Sequence, residues 1–79
     1  MHHILKTWPE YFQAVWTGEK TFEVRVNDRN YQVGDVLVLK EFDPKTQEYT
    51  GSSYAKRVTY LIGEPFAKDG YVIMALGDY

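Results

Sequence analysis

Only one segment of this 79-residue chain has the periodicity of a helix, and this feature limits the fold more than any other. Thr7 and Glu10 have the spacing of a capping box, and Pro9 between them is tolerated in a first helical turn. The apolar stripe that follows is formed by Tyr11, Phe12, Val15 and Trp16. With Gly18 as the expected stop, the sequence predicts one amphipathic helix near residues 8 to 17.

The rest of the chain has the patterns of short β-strands separated by polar turns. Residues 21 to 27 alternate strictly, and we expect Phe22, Val24 and Val26 to point into the core. Further strands are expected at residues 3 to 6, 36 to 39, 54 to 62 and 71 to 76. Polar turns are expected at residues 27 to 30 and 33 to 35, and a long polar loop at residues 43 to 53. In the strand at residues 54 to 62 we expect Arg57, Thr59 and Leu61 on one face, and Val58, Tyr60 and Ile62 on the other.

Five or six such strands with regularly spaced turns predict a mostly β (α+β) fold. The expected architecture is a small closed or nearly closed barrel with one N-terminal amphipathic helix over an end. The chain contains no repeat and no linker-like stretch, so we expect a single domain over residues 1 to 79. Since 44% of the residues are hydrophobic and none is cysteine, stability has to come from packing rather than from disulfides.

Charge and hydropathy narrow the range of partners. Nine basic residues against eleven acidic ones give a formal net charge of −2, so we expect feeble binding to duplex DNA at physiological salt. The longest apolar run, residues 71 to 76, is too short for a membrane span, and the first residues lack the pattern of a secretory signal. We therefore expect a cytoplasmic protein without a membrane partner. No metal or other cofactor is expected, because His2 and His3 face opposite sides of a strand and no third ligand has suitable spacing.

The strand at residues 21 to 27 is the most informative part of the sequence. Its polar face carries Glu23 and Arg25, and Lys20 precedes it at the turn from the helix. Alternating acids and bases on one strand face can recognise a polar ligand through paired donors and acceptors. They are also common on the solvated face of an antiparallel sheet. The pattern alone leaves both interpretations open.

The motif Gly18-x-Lys20-x-x-Glu23-x-Arg25 after a short helix resembles the signature of the ASCH superfamily, the activating-signal-cointegrator homology domains. The wider sequence resembles an uncharacterised bacterial and phage branch of that superfamily. The matching positions include His3, Leu5, Lys6, Pro9, Tyr11, Phe12, Phe22, Asn27, Asp28, Arg29, Gly34, Asp35, Tyr49, Thr50 and Gly51. One departure is Ser52, where relatives often carry arginine, so a basic group is missing from that segment.

The resemblance implies a PUA-like barrel with a cleft between helix and barrel, and a role in binding RNA or nucleotides. It implies that Lys20, Glu23 and Arg25 bind the ligand. Lysine suits a phosphate, and the planar fork of arginine suits a phosphate or a base edge. Glu23 either accepts hydrogen bonds from an exocyclic amine or pairs with Arg25 or Lys20 and keeps the cleft in shape.

Other residues are candidates for the same site. His3 and Lys6 lie on the expected first strand and can reach the cleft, although a frayed terminus is the alternative for His3. Arg29 is a candidate phosphate contact in a segment where Asn and Asp are explained by a tight turn. Trp8 and Tyr31, next to polar turns, are the candidates for stacking on a base.

Catalysis is the main alternative to binding. A characterised relative in the ASCH superfamily is an amidohydrolase that acts on acetylated cytidine with a lysine, a threonine and a glutamate. Lys20 matches that lysine, but Glu23 stands where the relative has its threonine, and a carboxylate cannot replace the hydroxyl. The sequence therefore favours a binder of RNA or a nucleotide-like ligand over a small amidohydrolase. An accessory protein that binds another protein is a third hypothesis, and the oligomeric state stays open.

Overall fold

A computed structural model describes all residues from 1 to 79 and contains five strands and one helix. The elements are β1 (His2–Thr7), α1 (Pro9–Trp16), β2 (Phe22–Val26), β3 (Val36–Asp43), β4 (Glu48–Ile62) and β5 (Tyr71–Asp78). The strands form one sheet in the order β1-β3-β4-β5-β2, in which β1 runs parallel to β3 and the other pairs are antiparallel. The prediction of a mostly β fold with one short helix is confirmed.

The sheet curls into a half-barrel, whereas the sequence predicted a closed or nearly closed barrel. The edge strands β1 and β2 do not pair with each other, and we call the gap between them the seam. On its other side β2 pairs with β5, through bonds that include Leu76 N–H to the Thr21 oxygen and Asn27 N–H to the Gly70 oxygen. Because bonded residues alternate along an antiparallel strand, the backbone groups of the intervening residues face the seam.

The helix forms where the sequence predicted it, but it begins differently. The N-cap is Trp8, and no side chain caps the first turn. Thr7 ends β1 with a buried side chain whose hydroxyl donates to the Leu5 oxygen at 3.3 Å, so the expected capping box does not form. Gly18 adopts a positive φ of 85° just after the helix, a conformation that glycine reaches without strain. The chain has no helix with the length and apolar character that crossing a bilayer requires.

The core lies between α1 and the concave face of the sheet. It consists of Leu5, Phe12, Val15, Tyr31, Leu37, Leu39, Val58, Val72 and Met74. From the helix only Phe12 and Val15 are buried, while Tyr11 and Trp16 are 48% and 57% exposed. The buried stripe of α1 is therefore narrower than the sequence predicted, and the side of the helix near its start is free to line a cleft.

The orientation of β2 is the reverse of the expected one. Phe22, Val24 and Val26 are 44%, 47% and 51% exposed, whereas Glu23 is only 3% exposed. The physical reason is that β2 is an edge strand whose concave face meets α1 and the end of β1 rather than the apolar core. Glu23 and Arg25, whose charges pair, occupy that concave face, while the apolar side chains of β2 are about half exposed.

The expected long loop at residues 43 to 53 is a tight turn followed by strand. The Asp43 side chain accepts the Lys45 backbone N–H at 2.8 Å, and Gln47 adopts a positive φ of 61°, so the chain reverses within four residues. The polar residues from 48 onward continue as β4, because the hairpin of β3 and β4 extends beyond the core.

A bulge also changes the faces of β4. The pairing with β5 shifts between Val58 and Tyr60. Val58 and Leu61 pack on the core while Tyr60 is 64% exposed. The two faces predicted for residues 54 to 62 are therefore wrong beyond Val58, since a bulge adds one residue to the alternation.

Candidate ligand-binding cleft

A cavity of about 450 Å³ opens between the start of α1, the end of β1 and β2, and we call it the cleft. It is lined by Lys6, Thr7, Trp8, Tyr11, Lys20, Glu23, Val24 and Arg25. Its volume falls within the range of small-molecule sites in proteins. The structure brings Lys20, Glu23 and Arg25 together on one concavity, as the motif predicted, and adds Lys6 from β1.

Glu23 is the centre of the cleft's polar network. Its side chain is 4% exposed, and its carboxylate accepts one hydrogen bond on each oxygen, from Lys20 Nζ at 2.6 Å and from Arg25 Nε at 2.8 Å. A buried carboxylate is costly unless its charge is paired and hydrogen-bonded, and both conditions are met here. Of the two roles expected for Glu23, the structure shows the pairing one, in which the carboxylate fixes the directions of two cations.

Arg25 connects the two edge strands across the seam. Its Nη2 donates to the Lys6 carbonyl oxygen and to Thr7 Oγ1, both at 3.2 Å. With Nε held by Glu23, the guanidinium is fixed at three points, while Nη1 makes no hydrogen bond within the chain. A planar fork held in this way presents its remaining N–H groups in a defined direction.

Lys20 is positioned by the turn after α1. Its backbone N–H donates to the Ala14 oxygen at 2.9 Å, which closes the turn around Gly18. Its Nζ lies 5.8 Å from the centre of the Tyr11 ring and 5.2 Å from the Phe22 ring. One of its three N–H donors is used by Glu23, so two remain for a ligand.

The charge of the cleft has the opposite sign to that of the whole chain. Lys6, Lys20 and Arg25 are three cations around the single carboxylate of Glu23, whereas the chain carries a formal net charge of −2. The exposed Lys6 places its Nζ 4.2 Å from the centre of the Phe42 ring. This local excess of positive charge favours an anionic ligand.

Arg29 lies outside the cleft, in a neighbouring cavity of about 310 Å³ that we call the side cavity. The side cavity is lined by Val24, Arg25, Val26, Asp28, Arg29, Tyr31 and Tyr71. Arg29 crosses the seam as Arg25 does, because its Nη1 donates to the Ile4 oxygen at 3.0 Å. Arg29 therefore does not line the same cavity as Lys20, and Arg25 lines both cavities.

The two predicted stacking residues have different environments. Trp8 is 49% exposed and lines the cleft, which leaves its indole accessible. Tyr31 is only 3% exposed and packs edge-on against His3 with ring centres 4.7 Å apart, so its ring face is not available for stacking. Burial raises the pKa of the Tyr31 hydroxyl above its ordinary value, and the charges of Arg29 and Arg25 oppose that rise.

His3 does not reach the cleft, and it is not frayed. It is 5% exposed, and its Nε2 lies 2.8 Å from an oxygen of Asp35. Asp35 also accepts the Gln32 backbone N–H at 3.0 Å. The hydrogen bond from His3 is the main cause that holds the pKa of Asp35 below its usual value, and burial opposes it. We therefore correct the expectation for His3, because strand alternation turns its side chain inward, away from Lys6.

Two residues of the cleft were assigned other roles by the sequence. Thr7 was expected to cap α1, and Tyr11 was expected in the buried stripe of that helix. Both line the cleft because the chain turns sharply from β1 into α1 at Trp8. The sequence did contain a signal for their place in the cleft. Thr7 lies just before α1 and Tyr11 lies in its first turn, which is the part of the helix that faces β2.

The fold and the cleft define a small half-barrel domain with a cationic site beside its seam. Residues 2–76 match the family described as a domain of unknown function, DUF3850, and the chain belongs to this family. A relative from Escherichia phage P2, described as an uncharacterised 12.9 kDa protein in the GpA 3′ region, is 39% identical over 72 residues. The match covers 91% of this chain and 64% of the relative, so the chain spans just under two thirds of the relative's length. The expected relation to an uncharacterised phage family is confirmed, while membership of the ASCH superfamily stays a prediction.

Proposed function

We propose that the cleft binds RNA or a nucleotide-like ligand, with a phosphate against its cations and a base against its aromatic wall. The observation that carries this proposal is the arrangement around Glu23, where one buried carboxylate fixes Lys20 and Arg25 beside an accessible indole. Cations that are held in place before a ligand arrives lose less conformational freedom on binding than free side chains do.

The phosphate site of this proposal uses the donors that Glu23 leaves unused. Lys20 has two further N–H groups, and Arg25 Nη1 has no partner in the chain. Lys6 adds a third positive charge. Hydrogen bonds between such cations and a phosphate are about twice as strong as neutral ones.

The base site of this proposal is formed by Trp8 and Tyr11. Their side chains are 49% and 48% exposed, and both line the cleft. Stacking of a base on an aromatic ring contributes about 1–3 kcal/mol and tolerates different bases. The similarity of Gly18-x-Lys20-x-x-Glu23 to the ASCH signature supports the same proposal, since nucleotide or RNA binding is what that resemblance implies.

Binding is favoured over amide hydrolysis by the state of Lys20. The ion pair with Glu23 at 2.6 Å uses the ammonium form, which has no lone pair with which to attack a carbonyl or accept a proton. Each carboxylate oxygen of Glu23 accepts a hydrogen bond from a cation, so the contacts of Glu23 are those of a residue that holds Lys20 and Arg25 in place.

The proposal is tested by titrating the protein with adenosine monophosphate and following the fluorescence of its tryptophans. The Lys56→Ala variant is a matched control for Lys20→Ala, because Lys56 also pairs with a carboxylate, Asp78 at 3.2 Å, and also lies over a tyrosine ring. We expect Lys20→Ala to weaken binding about tenfold, as loss of one charge-assisted contact does, and Lys56→Ala to leave it unchanged. Equal effects of the two substitutions, or no saturable binding to the wild type, would contradict the proposal.

A further inference from the structure

We infer that the ligand site continues past Arg25 into the side cavity, so that it takes single-stranded nucleic acid of at least two nucleotides. This inference rests on the proposed function of the cleft and specifies its ligand. The cleft and the side cavity share two lining residues, Val24 and Arg25.

The shared residues place both cavities along the free edge of β2. The cleft lies toward Lys20 at the start of the strand, and the side cavity lies toward Val26 and Arg29 at its end. Their volumes are about 450 Å³ and about 310 Å³. We infer that the two cavities act as one groove along the free edge of β2, because Arg25 lines both of them.

The side cavity has polar groups suited to a nucleotide. Arg29 donates one hydrogen bond from Nη1 to the Ile4 oxygen, and its other N–H groups make no hydrogen bond within the chain. Tyr31 is 3% exposed, yet its hydroxyl has no hydrogen-bond partner in the chain. Because every fully buried polar side-chain atom is satisfied, that hydroxyl must reach a solvent-accessible surface, and the residue lines the side cavity.

The same combination of groups therefore occurs on both sides of Arg25. The cleft offers Lys20 with the indole of Trp8, and the side cavity offers Arg29 with the half-buried ring of Tyr71. Cations along a groove that alternate with aromatic rings are the arrangement by which proteins bind single strands. A phosphodiester over Arg25 would join a nucleotide in the cleft to one in the side cavity.

A single strand fits this groove better than a duplex does. The cations lie along the seam, and the chain as a whole has a formal charge of −2, so the phosphates of a duplex meet little positive charge elsewhere on the surface. In a single strand the bases are unpaired and can splay apart to contact Trp8 and Tyr71 from within the groove.

The experiment compares adenosine monophosphate with the 5′-phosphorylated adenine dinucleotide on the whole chain. We expect the dinucleotide to bind at least about tenfold more tightly, since a second base and a second phosphate are engaged. Arg29→Ala and Tyr31→Phe should each reduce this gain to about threefold or less. The matched control is Arg57→Ala, because Arg57 also donates to one backbone oxygen, that of Gly34 at 2.9 Å, but lies outside both cavities.

The outcomes separate this inference from the proposed function. If the mononucleotide binds in a Lys20-dependent way and the dinucleotide binds no more tightly, the cleft stands and the extended groove is wrong. A gain that survives Arg29→Ala and Tyr31→Phe would also overturn the groove, because the second nucleotide would then lie elsewhere. Failure of both ligands to bind would refute the proposed function itself.

Discussion

Arg25 on β2 donates a hydrogen bond to the carbonyl oxygen of Lys6 on β1 at 3.2 Å, across a gap that no backbone ladder closes. A half-barrel with two free edge strands exposes unpaired backbone groups, and proteins commonly cover or charge such edges. Here the side chain of Arg25 covers part of the free edges, and it also lines the cleft. Arg25, one of two arginines that bridge the seam, is thus also a residue that we propose contacts the ligand.

The buried carboxylate of Glu23 is expected to support the fold as well as the site. Glu23→Gln keeps the shape but removes the charge that pairs with Lys20 and Arg25. We expect the free energy of unfolding to fall by about 1–3 kcal/mol, a range that allows for the partial exposure of both cations. Urea denaturation measures this change. Glu48→Gln, an exposed glutamate without an ion pair, is the control, and an equal effect of both substitutions would show that the network contributes nothing.

The pH dependence of stability is expected to reveal the Asp35 site. The hydrogen bond from His3 holds the pKa of Asp35 in the folded state below the ordinary value of an aspartate. A lowered pKa means that Asp35 stabilises the fold above about pH 4 and that this contribution is lost as the pH falls through the folded-state pKa. Unfolding free energies of wild type and Asp35→Asn should therefore converge on acidification. A difference that stayed constant down to acid unfolding would refute the assignment.

Substitutions on β2 and β3 test the reversed orientation of β2. Val26 is 51% exposed and Leu37 is fully buried. Val26→Thr should change the free energy of unfolding by no more than about 0.5 kcal/mol, as surface substitutions do. Leu37→Ala should cost about 2–5 kcal/mol, because it leaves a cavity in the core. If Val26→Thr lowers the free energy of unfolding by more than about 1 kcal/mol in thermal or urea unfolding, Val26 is buried and the reversed orientation of β2 is wrong.

The binder and the hydrolase differ in what Lys20→Arg does. If Lys20 only supplies charge to a ligand, arginine should retain most of the affinity, within about 1 kcal/mol. A hydrolytic Lys20 would have to lose its proton, which arginine does not do at ordinary pH. We expect neither protein to release acetate from acetylated cytidine. Steady release by the wild type that disappears in Lys20→Arg would establish the amidohydrolase instead.

The local pattern predicted the elements better than their orientation. The single helical period located α1, and strict alternation located β2, because both depend on neighbours in sequence. Alternation does not say which face is inside, and the apolar side chains of Phe22 and Val24 suggested the wrong one. Glu23 is turned inward because its charge is paired with Lys20 and Arg25 in the folded chain. A pattern of hydrophobic and polar residues does not show that such ion pairs form.

Long-range pairings explain the remaining differences at the site. His3 and Asp35 are 32 positions apart, and they meet only because β1 pairs in parallel with β3, where His3 lies opposite Leu37. The grouping of Lys20, Glu23 and Arg25 could be predicted from the sequence because these residues lie within one turn and one strand. Thr7 belongs to the site because Arg25 crosses the seam and donates a hydrogen bond to its hydroxyl. No local spacing in the sequence indicates that contact.

Binding of a nucleotide in the cleft is tested by an amide NMR spectrum of the protein titrated with adenosine monophosphate. We expect the largest shift changes at residues lining the cleft, above all Thr7, Trp8, Lys20 and Arg25, and a change in the Nε–H signal of Arg25. Amides at the opposite end of β1 from the cleft, where His2 pairs with Val36 of β3, should stay in place. Changes that cluster outside the cleft, or a spectrum that does not move at saturating nucleotide, would contradict it.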